Sequence, residues 1–185
     1  CERCHGPGSL HVKHPEPIDG EGPSIVNPAD LKPVALREGV CEQCHFQGFQ
    51  RTEVYQGASF DYRPGLPLNK YVSIVADYFG LSKRFRPEGH VEQMRKSRCY
   101  EATKGELGCI SCHDPHSLPK SAEKVAYYKG RCLECHADHG CSLSADVRLK
   151  KSPADDCVSC HMPTLPMSDI AHTASTDHSV PRVPE

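Results

Sequence analysis

The chain has 185 residues, with 12 cysteines, 12 histidines, 16 prolines, 14 glycines, no tryptophan and a formal net charge of −2. The balanced charge and the lack of any basic run exclude a nucleic-acid partner. The most apolar stretch, residues 71–81, is short and contains Asp77, which excludes a transmembrane segment. Leu, Ile, Val and Phe total 35 of 185 residues, just under the share at which a chain ordinarily buries enough apolar surface to offset its conformational entropy.

Residues 1–20 open with Cys1-Glu-Arg-Cys4-His5 and a tight turn at Gly6-Pro7-Gly8, followed by His11 and His14. A polar, Pro/Gly-rich linker covers residues 21–32. Pro33 suits the first position of a short helix that carries Leu36, Val40 and Cys44 toward one side. That helix would present Cys41, Cys44 and His45 together. Residues 50–63 alternate weakly about Gly57, which predicts a small hairpin. The spacing of Leu68, Tyr71, Val72, Val75, Tyr78 and Phe79 predicts a helix, with Gly80 as its stop.

Charged residues 83–88 read as a solvated loop, and a second helix is predicted over Val91–Tyr100, preceded by His90. After Cys109-Ile-Ser-Cys112-His113, Ser121 is placed to cap a helix whose Val125, Tyr128, Cys132 and Cys135 share one face. Ser152-Pro-Ala-Asp155 resembles a capping box ahead of Cys157, and Pro163 stops that helix soon after. Residues 164–185 read as mostly irregular but hold His172 and His178. The expected fold class is mostly α with extensive irregular loops and little β.

Five copies of C-x-x-C-H punctuate this order: Cys1/Cys4/His5, Cys41/Cys44/His45, Cys109/Cys112/His113, Cys132/Cys135/His136 and Cys157/Cys160/His161. The motif is the attachment sequence of a c-type haem. Its cysteines form thioethers with the porphyrin, and its histidine ligates the iron from the proximal side. Cysteine pairs at this spacing also serve zinc ribbons, but zinc does not require a histidine directly after the second cysteine. Five haem c groups would supply the missing apolar surface, so the apoprotein is expected to be largely unfolded. At 185 residues over five motifs, roughly 37 residues per haem leave no room for independent cores, and residues 1–185 are expected to form a single haem-packed domain. The chain begins inside a motif and shows no signal peptide, so further N-terminal sequence is expected.

Seven histidines remain beyond the proximal five: His11, His14, His90, His116, His139, His172 and His178. They are candidate distal ligands, His14 the weakest of them. His116 and His139 each follow a proximal histidine by three residues, which holds them on the same side of their own haem and leaves them to cap a neighbour. Met94, Met162 and Met167 are alternative ligands, but Met162 directly follows His161 and cannot reach round its own ring. With histidine in surplus, bis-histidine ligation and low potentials are expected. Cys99 and Cys141 lie outside the motifs, and an extracytoplasmic setting favours a disulfide between them.

Cys1-Glu-Arg-Cys4-His5-Gly-Pro-Gly-Ser-Leu-His11 resembles the C-x-x-C-H-G-P-G-x-x-H of multihaem cytochromes related to the tetrahaem cytochrome of ammonia oxidation and the octahaem reductases. Gly89-His90-Val91-Glu92-Gln93-Met94, Cys109–His116, Cys157–Pro163 and Asp169-Ile-Ala-His172 to His178 resemble a multihaem domain found beside tetratricopeptide repeats. The resemblance implies that His11 caps another haem. It does not by itself separate carriers from enzymes. The chain lacks the C-x-x-C-K of pentahaem nitrite reductases, whose lysine ligates the catalytic haem.

The expected function is electron transfer through five closely packed haems, in the periplasm or outside the cell. The chain would act as a carrier or as a subunit of a conductive assembly, with redox proteins or copies of itself as partners, up to a homopolymer. The alternative is a reductase or oxidase acting on small nitrogen or sulfur compounds at one open-coordinate haem. No catalytic residue is assigned.

Overall fold

The computed structural model describes residues 1–17, 23–46, 50–75, 89–137, 140–166 and 174–182. Within the span expected to form one domain, the chain clusters into two units, Cys1–Glu92 and Gln93–Glu185. Helix predominates among the described residues and the strands are short, as the composition led us to expect.

The first unit opens with α1 (Glu2–His5) and α2 (Ser9–Lys13), separated by the turn at Gly6, whose φ of 82° suits glycine. A short 3₁₀ turn (Pro28–Asp30), capped by Asn27, leads to α3 (Val34–His45). Pro33 is the N-cap of α3 rather than its first helical residue, because its ψ of 167° is extended. At the other end, the Arg51 guanidinium donates to the carbonyls of Glu42 at 3.3 Å and Phe46 at 3.1 Å, and also to that of Gln43. These carbonyls lie at the helix C-terminus, where acceptors lack intrahelical partners, although that of Glu42 also accepts from the Phe46 amide at 3.1 Å.

Two expectations fail between residues 50 and 75. Strand β1 (Gln50–Glu53) does not fold back on 58–63 as a hairpin; it pairs antiparallel with β2 (Val72–Val75), Gln50 opposite Val75 and Glu53 opposite Val72. Glu53 redirects the chain. Its carboxylate accepts from the Gly57 and Ser59 amides and the Ser59 hydroxyl, which starts α4 (Ala58–Asp61). The helix predicted from Leu68 is instead a 3₁₀ turn (Leu68–Lys70) followed by β2. β-Branched Val72, Ile74 and Val75 favour a pleated strand, and Val72 and Ile74 turn inward in alternation. Tyr78, Phe79, Gly80 and the loop 83–88 lie outside the described residues. Tyr62, Leu68 and Val72 form the core, with Tyr71 and Ile74 packed against it.

Helix α5 (His90–Lys96) begins in the first unit and runs into the second, where α6 (Arg98–Ala102) follows. The single helix predicted over Val91–Tyr100 breaks at Ser97, which is extended and caps α6 by accepting from the Tyr100 amide. The second unit continues with α7 (Cys109–Cys112), α8 (Lys124–His136), α9 (Ala145–Lys151) and α10 (Cys157–His161). Helix α8 starts after Glu123, not at Ser121, and α9 has no counterpart among the expected elements. Asp156, rather than Ser152, caps α10, accepting from the Val158 amide at 2.9 Å. The tail predicted to be irregular contains β3 (Thr164–Pro166) paired antiparallel with β4 (Ala174–Thr176).

All the buried hydrophobic residues among those described, Val40, Ala58, Tyr62, Leu68, Val72 and Val91, belong to the first unit. In the second unit the described hydrophobic side chains are half-buried or exposed, with Leu118 82% and Leu149 47% accessible. Among the described residues no helix is long and apolar enough to cross a membrane.

Candidate metal-binding histidine pairs

Each C-x-x-C-H segment except the third lies wholly in, or one residue outside, a helical turn that ends on its histidine. In the third, Cys109–Cys112 is helical and His113 is the extended C-cap. A C-x-x-C pair on a helix sets both sulfurs on one side. None of the twelve cysteines is disulfide-bonded in this structure, and all are exposed or half-buried. Cys99 and Cys141 are among them, so the expected bond between those two is not formed. Instead Cys99 lies within electrostatic reach of Cys112 and Cys132.

The motifs sit side by side within each unit. The Gln43 amide, between Cys41 and Cys44, donates to the Arg3 carbonyl, between Cys1 and Cys4, at 3.2 Å. Cys41 and Cys4 both lie within electrostatic reach of the Tyr62 phenol. In the second unit Cys132 of α8 lies within electrostatic reach of Cys157 of α10. Burial is the main cause that pushes the Cys132 thiol up to about 11, with Cys157 and Cys112 adding to it. Burial likewise raises Cys112 and Cys157.

The second sulfur of the fifth motif is Cys160. It is a half-buried free thiol in the last turn of α10, and its one described polar neighbour is the Ser159 hydroxyl, 4.0 Å from Sγ. The same hydroxyl donates to the Asp156 carbonyl at 2.9 Å, the shorter and stronger bond, so it holds the helix start rather than the Cys160 sulfur. Cys135, the matching sulfur of the fourth motif, is an exposed thiol on α8.

Asp155, just ahead of α10, takes Arg148 through Nε at 2.6 Å and Nη2 at 3.1 Å, and Lys129 Nζ at 2.6 Å. That triad joins α8, α9 and the start of α10. The guanidinium first and the ammonium second hold the Asp155 carboxyl below the usual carboxylate range.

Several imidazoles have one nitrogen tethered. Nδ1 of His5 lies 2.8 Å from the Val26 carbonyl, Nδ1 of His161 lies 2.8 Å from that of Pro181, and Nδ1 of His178 lies 2.8 Å from that of Thr176. A carbonyl only accepts, so Nδ1 carries the proton in each and Nε2 presents its lone pair. Donation from the second ring nitrogen to a carbonyl is the usual support of a metal-ligating histidine. His5 is held further by its own carbonyl, which accepts from the Val26 amide at 3.0 Å. The Tyr128 hydroxyl lies 3.4 Å from Nδ1 of His113.

Two motif histidines face a second histidine. The ring centres of His45 and His90 are 5.8 Å apart, and those of His113 and His178 are 6.3 Å apart. Two metal–nitrogen bonds of about 2 Å, plus roughly 1 Å from nitrogen to ring centre on each side, place trans imidazoles about 6 Å apart. Both pairs have a centre-to-centre separation near that value, with ring planes at 61° for His45 and His90 and 28° for His113 and His178. Among the described residues no three His, Cys, Asp or Glu side chains group as a metal-ion site.

The remaining candidates are placed differently. His11 and Cys1 line one cavity of about 560 Å³ with Val12 and Ile25, and Nδ1 of His11 is buried there without a hydrogen-bond partner. The volume falls within the range of small-molecule and cofactor sites. His14 is exposed and uses its backbone carbonyl to accept from Ser24. His116 is exposed on a turn held by Asp114. His136 is exposed at the end of α8. His139, His172 and Met167 lie outside the described residues. Sequence reasoning missed the tethers, Val26, Tyr128, Thr176, Pro181 and Gln93. Backbone carbonyls carry no sequence signal, whereas Gln93, three residues beyond His90, could have been found on the same helix.

No family model, no curated protein and no solved structure matches the chain.

Proposed function

We propose that the chain is an electron-transfer protein that holds five c-type haems, attached at Cys1/Cys4, Cys41/Cys44, Cys109/Cys112, Cys132/Cys135 and Cys157/Cys160. The observation that carries this reading is the pairing of two motif histidines with histidines from elsewhere in the chain, at 5.8 and 6.3 Å between ring centres. His45 and His90 would hold one iron, and His113 and His178 another. His5, His136 and His161 would be the remaining proximal ligands, with His11, His116, His139 and His172 as distal candidates. The second unit, which buries no hydrophobic side chain among its described residues, has room for porphyrin surface as its core.

Haem supplies a reversible one-electron iron couple. The chain's part is to set that couple and keep other chemistry out. In each pair the two imidazoles would hold the iron together, which would leave no position for substrate. The carbonyls of Val26, Thr176 and Pro181 accept from Nδ1, which makes Nε2 a stronger donor and favours the oxidised metal. The contact between Gln43 and Arg3 and that between Cys132 and Cys157 bring motif to motif, as close cofactor spacing requires. Cysteine-attached haem also points to the periplasm or the cell exterior, with redox proteins or further copies of this chain as partners. The multihaem family resemblance is part of the same proposal.

Low-temperature EPR with a potentiometric titration of the haem-loaded protein tests the reading. Low-spin signals from all five haems, at low potential, are expected. A high-spin ferric signal that responds to cyanide would favour an enzyme acting on small nitrogen or sulfur compounds. Loss of absorbance on acid–acetone extraction, which removes only non-covalent haem, would overturn the attachment.

A further inference from the structure

Helix α5 carries His90 and Gln93. Its first residue, His90, faces His45. Its fourth, Gln93, is 5% exposed, and its side-chain oxygen accepts from the His178 backbone amide at 2.8 Å. His178 sits on the turn after β4. That turn has local supports: Nδ1 donates to the Thr176 carbonyl, Asp177 accepts from the Ser179 amide at 2.7 Å, and the Asp177 amide donates to the Pro163 carbonyl at 2.9 Å. Gln93 is different. It is 85 residues away in sequence, and it holds the main chain of the very residue whose ring faces His113.

A buried amide oxygen that accepts a backbone N–H contributes about 1 kcal/mol net, and the N–H left unpaired in its absence costs more. The local bonds shape the turn and orient the ring. They do not anchor the turn to α5. Gln93 thus ties the main chain at His178 to α5, and the 6.3 Å separation of the His178 and His113 rings leaves little slack for a metal bridge.

We propose that Gln93 is a positioning residue that keeps His178 on the iron bound by His113. The inference rests on the bis-histidine reading above. Without the Gln93 acceptor the turn relaxes, His178 leaves the metal in a fraction of molecules, and one haem becomes five-coordinate. The remaining haems are untouched.

The test uses the haem-loaded full chain and carbon monoxide on the reduced protein. Gln93→Met keeps length and flexibility but removes the strong acceptor. Gln93→Glu keeps an acceptor, and His178→Ala removes the ligand itself. His178→Ala should add one CO-reactive haem in five over the parent, with a matching high-spin ferric EPR signal. Gln93→Met should add a partial signal at the same haem, and Gln93→Glu should return it toward the parent. Haem content and helical circular dichroism should stay level across the set.

If His178→Ala opens a haem while Gln93→Met leaves every haem low-spin, the Gln93 role is overturned and the pairing stands. If His178→Ala opens none, the pairing itself is wrong and the inference falls with it. Should Gln93→Met fail to take up haem, Gln93→Asn, one methylene shorter, gives the same readout.

Discussion

At the scale of single residues, the most exposed consequence of the structure is at His90. Its ring stands 5.8 Å from that of His45, and it is the first residue of α5. His90→Ala should convert one haem in five to a CO-reactive, high-spin form, and added imidazole should reverse the change. An unchanged CO difference spectrum would remove His90 from the ligand set. Tyr62 is the second such residue. It is 2% exposed, its hydroxyl has no hydrogen-bond partner, and a Cβ placed on Gly39 would come within 3.2 Å of that oxygen. Gly39→Ala gains up to about 1 kcal/mol of helix propensity inside α3 but crowds a Tyr62 side chain with little room to yield, so a net loss of about 1 kcal/mol is expected in the first unit. Adding Tyr62→Phe should recover part of that loss, because it deletes the clashing atom and an unsatisfied group together. Denaturant unfolding of the two single variants and the double measures the coupling. Burial, and then the Glu42 carboxylate, push the Tyr62 phenol up to about 12 from 10.0. A raised phenol stabilises the fold fully below pH 10, and that contribution disappears as pH climbs from 10 toward 12. Tyr62→Phe should flatten the alkaline limb of the stability profile.

Among the elements, α8, α9 and α10 depend on one carboxylate. Asp155 receives Arg148 from α9 and Lys129 from α8, and lies two residues ahead of Cys157. Its carboxyl is held below the usual carboxylate range, so its contribution is present above the unfolded value of about 4 and fades as pH falls below it. Asp155→Asn should reduce thermal stability at pH 7 and converge with the parent at strongly acid pH. Melting curves across that range check it; equal losses at every pH would assign the effect to packing. The elements also show why local pattern reading succeeds unevenly. Helices α3 and α8 run 12 and 13 residues and carry motifs, and both were legible from apolar spacing. The segment Leu68–Val75 was not, because its apolar spacing satisfies a helix and a strand alike. Pairing with β1, some twenty residues earlier in the chain, decides between them. Ser97 likewise reads as a tolerable interior residue until its side chain is seen capping α6.

For the molecule as a whole, the distribution of buried surface is the telling feature. The first unit has a small side-chain core of Tyr62, Leu68 and Val72, whereas the described residues of the second bury no hydrophobic side chain. Chain produced without haem should therefore lose protection in residues 93–185 before residues 1–92. Limited proteolysis read by mass spectrometry, with the haem-loaded protein as control, tests this. Simultaneous cleavage of both units in the haem-free chain would show that neither core stands alone.

The local chemistry was legible in the residues alone: five C-x-x-C-H motifs, the histidine that closes each, a histidine surplus and too little apolar residue for a conventional core. The motifs are readable because each is contiguous and its requirement acts within five residues. The setting of a motif sulfur is less local. Cys160 reads as an attachment sulfur like the other nine, and that its side chain is half-buried appears only in the fold. Which distant histidine faces which motif was likewise decided in three dimensions. His45 meets His90 across 45 residues and His113 meets His178 across 65, by the numbering. No spacing rule reaches that far, since chain closure over such loops varies only slowly with their length. The Gln93 to His178 contact is of the same kind, a hydrogen bond between residues 85 apart that exists only once both ends are folded.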